Sequence, residues 1–141
     1  MQTFVPYGRL FRANGRVLDR QRLGKQRVEG LQIIRTLQGL NYGWANHPAV
    51  KMWDGYEVAL GKYTIAICDE WVSRGYRDTC ADKVRDLLPG IDDIKEVELP
   101  AWLDLPAVTL SHKSNLIRKS PNHYGPIWPN VPSYLPYKWP R

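Results

Sequence analysis

The stretch RVLDRQRLGKQRVEGLQIIRTLQ, residues 16–38, decides the fold. Leu23, Leu31 and Ile34 recur at helical spacing, with Val28 beside them, and nothing in the stretch alternates with the period of two that a strand needs. Asn14-Gly15 ahead of it is a turn signal, and Gly39 with the Asn41-Tyr42-Gly43 cluster closes it. A long helix from about Arg16 to Gln38 is the expectation. On a helical wheel Arg22, Lys25, Gln26 and Glu29 share the face turned away from Leu31. Glu29 is the lone carboxylate on that basic face. It is either a salt-bridge partner of Lys25 or the one residue there that does chemistry. An exposed i,i+4 pair in this order is worth only ~0.3–0.5 kcal/mol. A carboxylate among cations is also a usable base or a stabiliser of a cationic intermediate.

Outward from this helix the pattern stays helical. After the restricted His47-Pro48 step a second helix is predicted from about Ala49 to Arg74, with Gly75 closing it. Trp53, Tyr56, Leu60, Tyr63 or Thr64, Ile67 and Trp71 mark its core stripe, with the acids Asp54, Glu57, Asp69 and Glu70 between them. Gly55 and Gly61 weaken it and suggest a kink or a close helix contact. A short helix is predicted at 81–88, a loop at 90–107, and a third main helix from about Thr109 to Lys119, with Arg118 and Lys119 in its last turn. The remainder, from Pro121, holds six prolines and five Trp or Tyr residues, so it reads as an extended tail pinned by its aromatics, neither helix nor central strand. The fold class is all-α: three main helices and a proline- and aromatic-rich C-terminal tail.

The chain has 141 residues, which is the size of one domain spanning 1–141, and 43% of them are hydrophobic, enough to fold. No apolar run approaches membrane-spanning length, and the start lacks the pattern of a signal peptide. Two cysteines, Cys68 and Cys80, without metal-ligand spacing, suit a reduced, cytoplasmic protein with no structural metal. The net charge of +6 is unevenly spread: residues 1–39 balance at +6, residues 40–108 at −5 and residues 109–141 at +5. Two basic ends around an acidic middle point to one polyanion-facing surface built where the ends meet, or to an ordinary basic exterior.

No Ser/His/Asp arrangement, phosphate-binding glycine loop or paired-carboxylate signature is readable. His47, His112 and His123 lie far apart and read as structural groups or DNA contacts, not as metal ligands. In SHKSNLIRK, residues 111–119, His112, Lys113, Arg118 and Lys119 suit phosphates and Asn115 a base or sugar, unless the segment is simply a solvated face. Tyr124 and Trp128 offer rings for base stacking, and equally serve as clamps on the core. His47 and residues 41–46 are candidates for lining a pocket.

The order of these pieces resembles the phage endonuclease V family, the pyrimidine-dimer DNA glycosylase/AP lyases. That family has Q-x-L followed by a catalytic glutamate eight residues after the glutamine; here Gln21-Arg22-Leu23 precedes Glu29 at that spacing. Its long second helix ends in an R-G-aromatic turn and then D-T, matched by Arg74-Gly75-Tyr76 and Asp78-Thr79. Its third helix leads into a basic, P-x-aromatic-Tyr stretch, matched by Arg118, Lys119, Pro121 and Tyr124, with His123 in the aromatic's place. The resemblance covers most of residues 1–125; residues 126–141 have no counterpart.

The resemblance implies an all-α enzyme that binds duplex DNA on a basic concave face and extrudes a nucleotide. It further implies attack on C1′ by the α-amino group of the first residue, and strand cleavage from the resulting Schiff base without metal or organic cofactor. Glu29 would be the catalytic carboxylate, and Arg22, Lys25, Arg27, Lys113, Arg118 and Lys119 the phosphate grip. The family places Thr after the initiator Met, whereas Gln2 follows Met1 here, so the nucleophile implied is the Met1 amine, with Lys25 as a second candidate amine. The helix-one arginine just before the family's glutamate is Val28 here, and Arg27 stands next to it. The expected protein is thus a monomeric glycosylase/AP lyase for damaged or modified pyrimidines, pyrimidine dimers foremost. Two rivals are a non-catalytic DNA-binding module on the same scaffold and an interaction protein whose basic ends bind an acidic partner.

Overall fold

The computed structural model describes residues 1–40 and 42–140. Among them every regular element is helical, as the periodicity requires. These are α1 (Phe11–Val17), α2 (Arg20–Leu37), α3 (Pro48–Lys51), α4 (Glu57–Ser73), α5 (Cys80–Leu87), α6 (Pro106–Lys119) and α7 (Pro121–Tyr124). Three short 3-10 turns, Tyr42–Trp44, Ile91–Asp93 and Ala101–Asp104, complete them, the last two inside the stretch read as loop. No helix among the described residues is long and apolar enough to cross a membrane.

Both long helices are cut by a local residue that the periodicity overlooks. Leu18 is extended (φ −71°, ψ 138°), and α2 restarts after Asp19, whose carboxylate accepts the Arg22 N–H at 3.4 Å. Asp19 is a capping residue lying inside an apparently continuous pattern, and satisfying orphan N–H groups there favours a new N-terminus. The second break falls at Gly55, whose φ of +85° is a left-handed conformation that other residues adopt only with strain. The tail also departs from expectation, because α7 forms one helical turn with Pro121 at its first position, where the missing N–H costs nothing.

The core lies where α2 crosses α4. Leu23, Ile33, Ile34, Leu60, Tyr63 and Ile67 are fully excluded from solvent, each burial worth about 1.5–3 kcal/mol. Gly30 permits the crossing: a Cβ there would stand 2.3 Å from Thr64 Oγ1. Val28, expected beside the core stripe, is instead 43% exposed, and Ile33 takes the inward position.

Two buried charges tie the other elements to this pair. Glu70 is ion-paired to Arg12 (3.3 Å) and Arg74 (2.9 Å), and Arg74 also donates to the carbonyls of Gly15, Arg16 and Leu18, closing the C-terminus of α1. Asp78 accepts from Arg27 at 2.6 Å and from the N–H groups of Cys80 and Ala81, which opens α5. The tail folds back along α6. The Leu135 N–H donates to Ser114 Oγ (2.9 Å), Lys138 N–H to Ser111 Oγ (3.2 Å), and Asn115 Nδ2 and Arg118 Nη1 hold the carbonyls of Leu135 (3.1 Å) and Ser133 (2.7 Å).

Candidate active site

Of the first five residues the Val5 carbonyl takes the Gly8 N–H at 3.0 Å, and side chains satisfy the N–H groups of residues 2–5. The Gln2 N–H donates to Glu29 Oε2 at 3.1 Å, Thr3 N–H to the Gln2 side-chain oxygen at 2.9 Å, Phe4 N–H to Gln26 Oε1 at 2.9 Å and Val5 N–H to His112 Nδ1 at 2.9 Å. On the acceptor side, Gln26 Nε2 reaches the Gln2 carbonyl (2.7 Å), the Tyr63 hydroxyl the Phe4 carbonyl (2.6 Å) and the Trp53 indole the Thr3 hydroxyl (2.9 Å). These bonds come from α2, α4 and α6 and from the α3–α4 junction. They thread the N-terminus along the polar face of α2 and bury Gln26, which is 1% exposed.

The consequence is an open cavity of about 240 Å³ whose wall includes Met1, Glu29, Arg22, Lys25, Lys119 and Tyr137. Glu29 has only 12% of its side chain exposed, while Lys25 stands 74% exposed with Nζ 3.7 Å from Oε1. Arg22 is held by Asp19 at 3.2 Å. Burial pushes the Tyr137 hydroxyl up to about 12, against the pull of Arg118 and Arg22 and with a further push from Glu29. His47 belongs to the same field. Burial and then the N-terminal ammonium push its imidazole down, while Glu29 pulls it up. Its Nδ1 accepts the Ala49 N–H at 3.0 Å, and its ring meets Trp44 and Trp139, each at 5.9 Å between centroids.

The predicted site residues divide into two groups. Met1, Arg22, Lys25, Glu29 and Lys119 come together at the cavity although they span both ends of the chain. The others do not join them. Arg27 points the opposite way, 14% exposed, against Asp78 and over the Trp71 ring at 4.4 Å. His112 is fully buried; burial pushes it down to about 3, and it holds the Val5 N–H in place of a phosphate. Asn115, 4% exposed, and Arg118, which stays at the surface, are bonded to each other and to the tail. Tyr124 is fully buried, its hydroxyl bonded to the Asp19 carboxylate and accepting the Asp19 N–H, so it clamps α7 to the start of α2. Trp128 stacks on Tyr124 at 5.6 Å and donates to the Tyr7 hydroxyl, and Lys113 lies over the rings of Tyr7 and Trp128.

Gln26 and Tyr137 were missed as site residues. Gln26 carried a signal, its place on the Glu29 face, but nothing local says that a strand of chain covers that face. Tyr137 sits in a proline-rich segment with no periodicity to read. Of the proposed pocket loop, Asn41 lies outside the described residues, and residues 43–46 are exposed.

A family model described as pyrimidine dimer DNA glycosylase matches residues 1–84. The matched stretch contains Met1, the whole of α2 with Glu29, and the Arg74-Gly75-Tyr76 and Asp78-Thr79 turns; α6 and the tail lie beyond it. No curated protein and no solved structure matches the chain significantly.

Proposed function

Because the chain belongs to the pyrimidine dimer DNA glycosylase family, we propose that it excises damaged or modified pyrimidines, pyrimidine dimers foremost, from duplex DNA and then cleaves the strand as an AP lyase through a Schiff base on the Met1 amine. The observation that carries this reading is the pairing of the chain's first residue with Glu29. Met1 and Glu29 share one cavity, and the Gln2 N–H, one residue from the amine, is bonded to the carboxylate at 3.1 Å.

The chemistry follows from those two groups. The Met1 α-amine is the nucleophile, and it attacks in its uncharged form. Its nitrogen bonds to C1′ as the glycosidic bond breaks and the base leaves with the electron pair. The proton shed by the nitrogen passes to Glu29. The nitrogen lone pair then forms the iminium as C1′–O4′ breaks, and O4′ takes the proton back from Glu29. The carboxylate now faces a cation, which accounts for an acid within an anion-binding surface. Loss of a C2′ proton and of the 3′ phosphate completes β-elimination. Arg22, Lys25 and Lys119 hold the flanking phosphates. Lys25, largely in water and ion-paired, is assigned to that contact and not to the attack. Extruding the target costs least at a damaged pair, which favours lesions over intact DNA.

Borohydride trapping on duplexes carrying a thymine dimer or an abasic site, with mass spectrometry of the adduct, tests the proposal. The expected adduct is on the Met1 amine. Glu29→Gln is expected to slow excision by at least about 100-fold while leaving DNA affinity within about twofold. Salt-sensitive DNA binding with no adduct on either substrate would instead support the non-catalytic module.

A further inference from the structure

Five of the six tryptophans are accounted for by the fold. Trp53 bonds Thr3, Trp102 donates to the Met52 carbonyl, Trp71 lies under Arg27, Trp128 stacks on Tyr124, and Trp139 packs on Tyr137 and His47. Trp44 is different. It is 42% exposed, makes one ring contact, edge-on to His47, and its indole N–H has no partner among the described residues. The turn that carries it, Tyr42–Trp44, packs against α2, the helix of Glu29. Ala45 and Asn46 beyond it are exposed as well, so the ring stands in an exposed turn.

His47 locates this ring relative to the chemistry. Its Nδ1 accepts the Ala49 N–H, and its ring packs on Trp139, which packs in turn on Tyr137 of the cavity wall. Trp44 therefore stands at the solvent end of a run of rings, Trp44–His47–Trp139–Tyr137, whose other end is in the cavity wall. Leaving a large aromatic half in water costs stability, and none of its contacts within the fold requires an indole. A duplex from which one nucleotide has been extruded offers what such a ring lacks, a gap between base pairs one aromatic ring thick. Apolar and aromatic side chains fill such gaps in other DNA-deforming proteins, and stacking on bases is tolerant of sequence.

We propose that Trp44 inserts into the DNA stack at the position vacated by the extruded nucleotide and holds the duplex open while the amine reacts. This rests on the glycosylase reading above, and it adds a positioning residue that acts on the DNA and not on the reacting atoms. Trp44 stabilises the extruded state of duplex DNA and contributes nothing when the strand is single and no gap exists.

The test compares Trp44→Ala and Trp44→Phe with the unaltered protein. On an abasic duplex the rate of borohydride trapping should fall about tenfold or more in Trp44→Ala, the equivalent of one lost stacking contact, and return to within about threefold in Trp44→Phe. On the single-stranded abasic oligonucleotide all three should agree within about twofold. Equal losses on both substrates, or none on either, overturn the proposal. A second readout is independent of the chemistry. A duplex with a tetrahydrofuran site, which cannot form an imine, carries 2-aminopurine beside it; binding should change its fluorescence with the unaltered protein and not with Trp44→Ala. If no adduct forms with any protein but this Trp44-dependent change persists, the amine chemistry falls and the Trp44 contact stands. If adducts form and the fluorescence change survives in Trp44→Ala, only the Trp44 assignment falls.

Discussion

Replacing Gln26 with leucine should damage stability and catalysis through the same two hydrogen bonds. Gln26 is 1% exposed and holds the Phe4 N–H at 2.9 Å and the Gln2 carbonyl at 2.7 Å. Leucine fills a similar volume but leaves one amide donor and one carbonyl buried without partners. Each of the two orphans costs about 1–3 kcal/mol, and burying the apolar replacement returns about 1 kcal/mol, for a net loss of ~1–5 kcal/mol centred on about 3. For a chain of this length that is a fall in Tm of roughly 10 °C. The catalytic effect has a separate origin. Without Gln26 the segment behind Met1 loses its register on α2, and misplacing the amine by ~1 Å relative to Glu29 costs on the order of 100-fold. Thermal unfolding by circular dichroism, and single-turnover trapping at a temperature well below either Tm, separate the two effects. Gln38→Leu, at the C-cap of the same helix, is the control, since its exposed bond to the Leu87 carbonyl should cost well under ~1 kcal/mol. A lowered Tm with an unchanged trapping rate would refute the positioning argument, and no change in either would refute the reading of this clamp altogether.

Other outcomes follow from the same geometry. Below pH ~6.5 an unfolded histidine takes up a proton that buried His112 refuses until about 3, so falling pH favours unfolding across that window by roughly 1 kcal/mol per unit. His112→Asn, which can still accept the Val5 N–H, should flatten that slope in denaturant titrations between pH 4 and pH 6. Asp78→Ala removes the partner of Arg27 and two N–H acceptors of α5 together, and should cost about 3–5 kcal/mol by chemical denaturation. Lys119→Ala should reduce the slope of log affinity against log salt by about 1, whereas Arg27→Ala should leave that slope intact while lowering Tm, because only the former has a charge free to meet phosphate.

The residues that carried the family resemblance turn out to be of two kinds. Glu29 stands in the cavity, but Arg74, Asp78 and Tyr124 serve the fold: they close α1, open α5 and clamp α7. A motif signals that a residue is needed at a place and does not say for what. This explains why Arg27, His112, Asn115 and Tyr124 are legible in the sequence as special while their neighbours in the fold are not. A charged or polar side chain on a helix looks the same in sequence whether water or another helix faces it.

By itself the sequence determined the helical class, the apolar faces of the two crossing helices and the placement of Glu29 on a basic face. These rest on the 3.6-residue period and on local backbone preferences, which involve neighbours a few positions apart. Where the periodic stretches break at Asp19 and Gly55 was also written locally, in a capping side chain and a left-handed glycine, but the longer pattern masked it. Only the tertiary structure decided that the polar face of α2 is covered by residues 1–5 and that the tail returns along α6 to put Tyr137 in the cavity wall. Those contacts join residues 21 to 107 positions apart through single side-chain hydrogen bonds. Such bonds are satisfied by whichever polar group the packing brings near, and the chain carries no local signal of which one that will be.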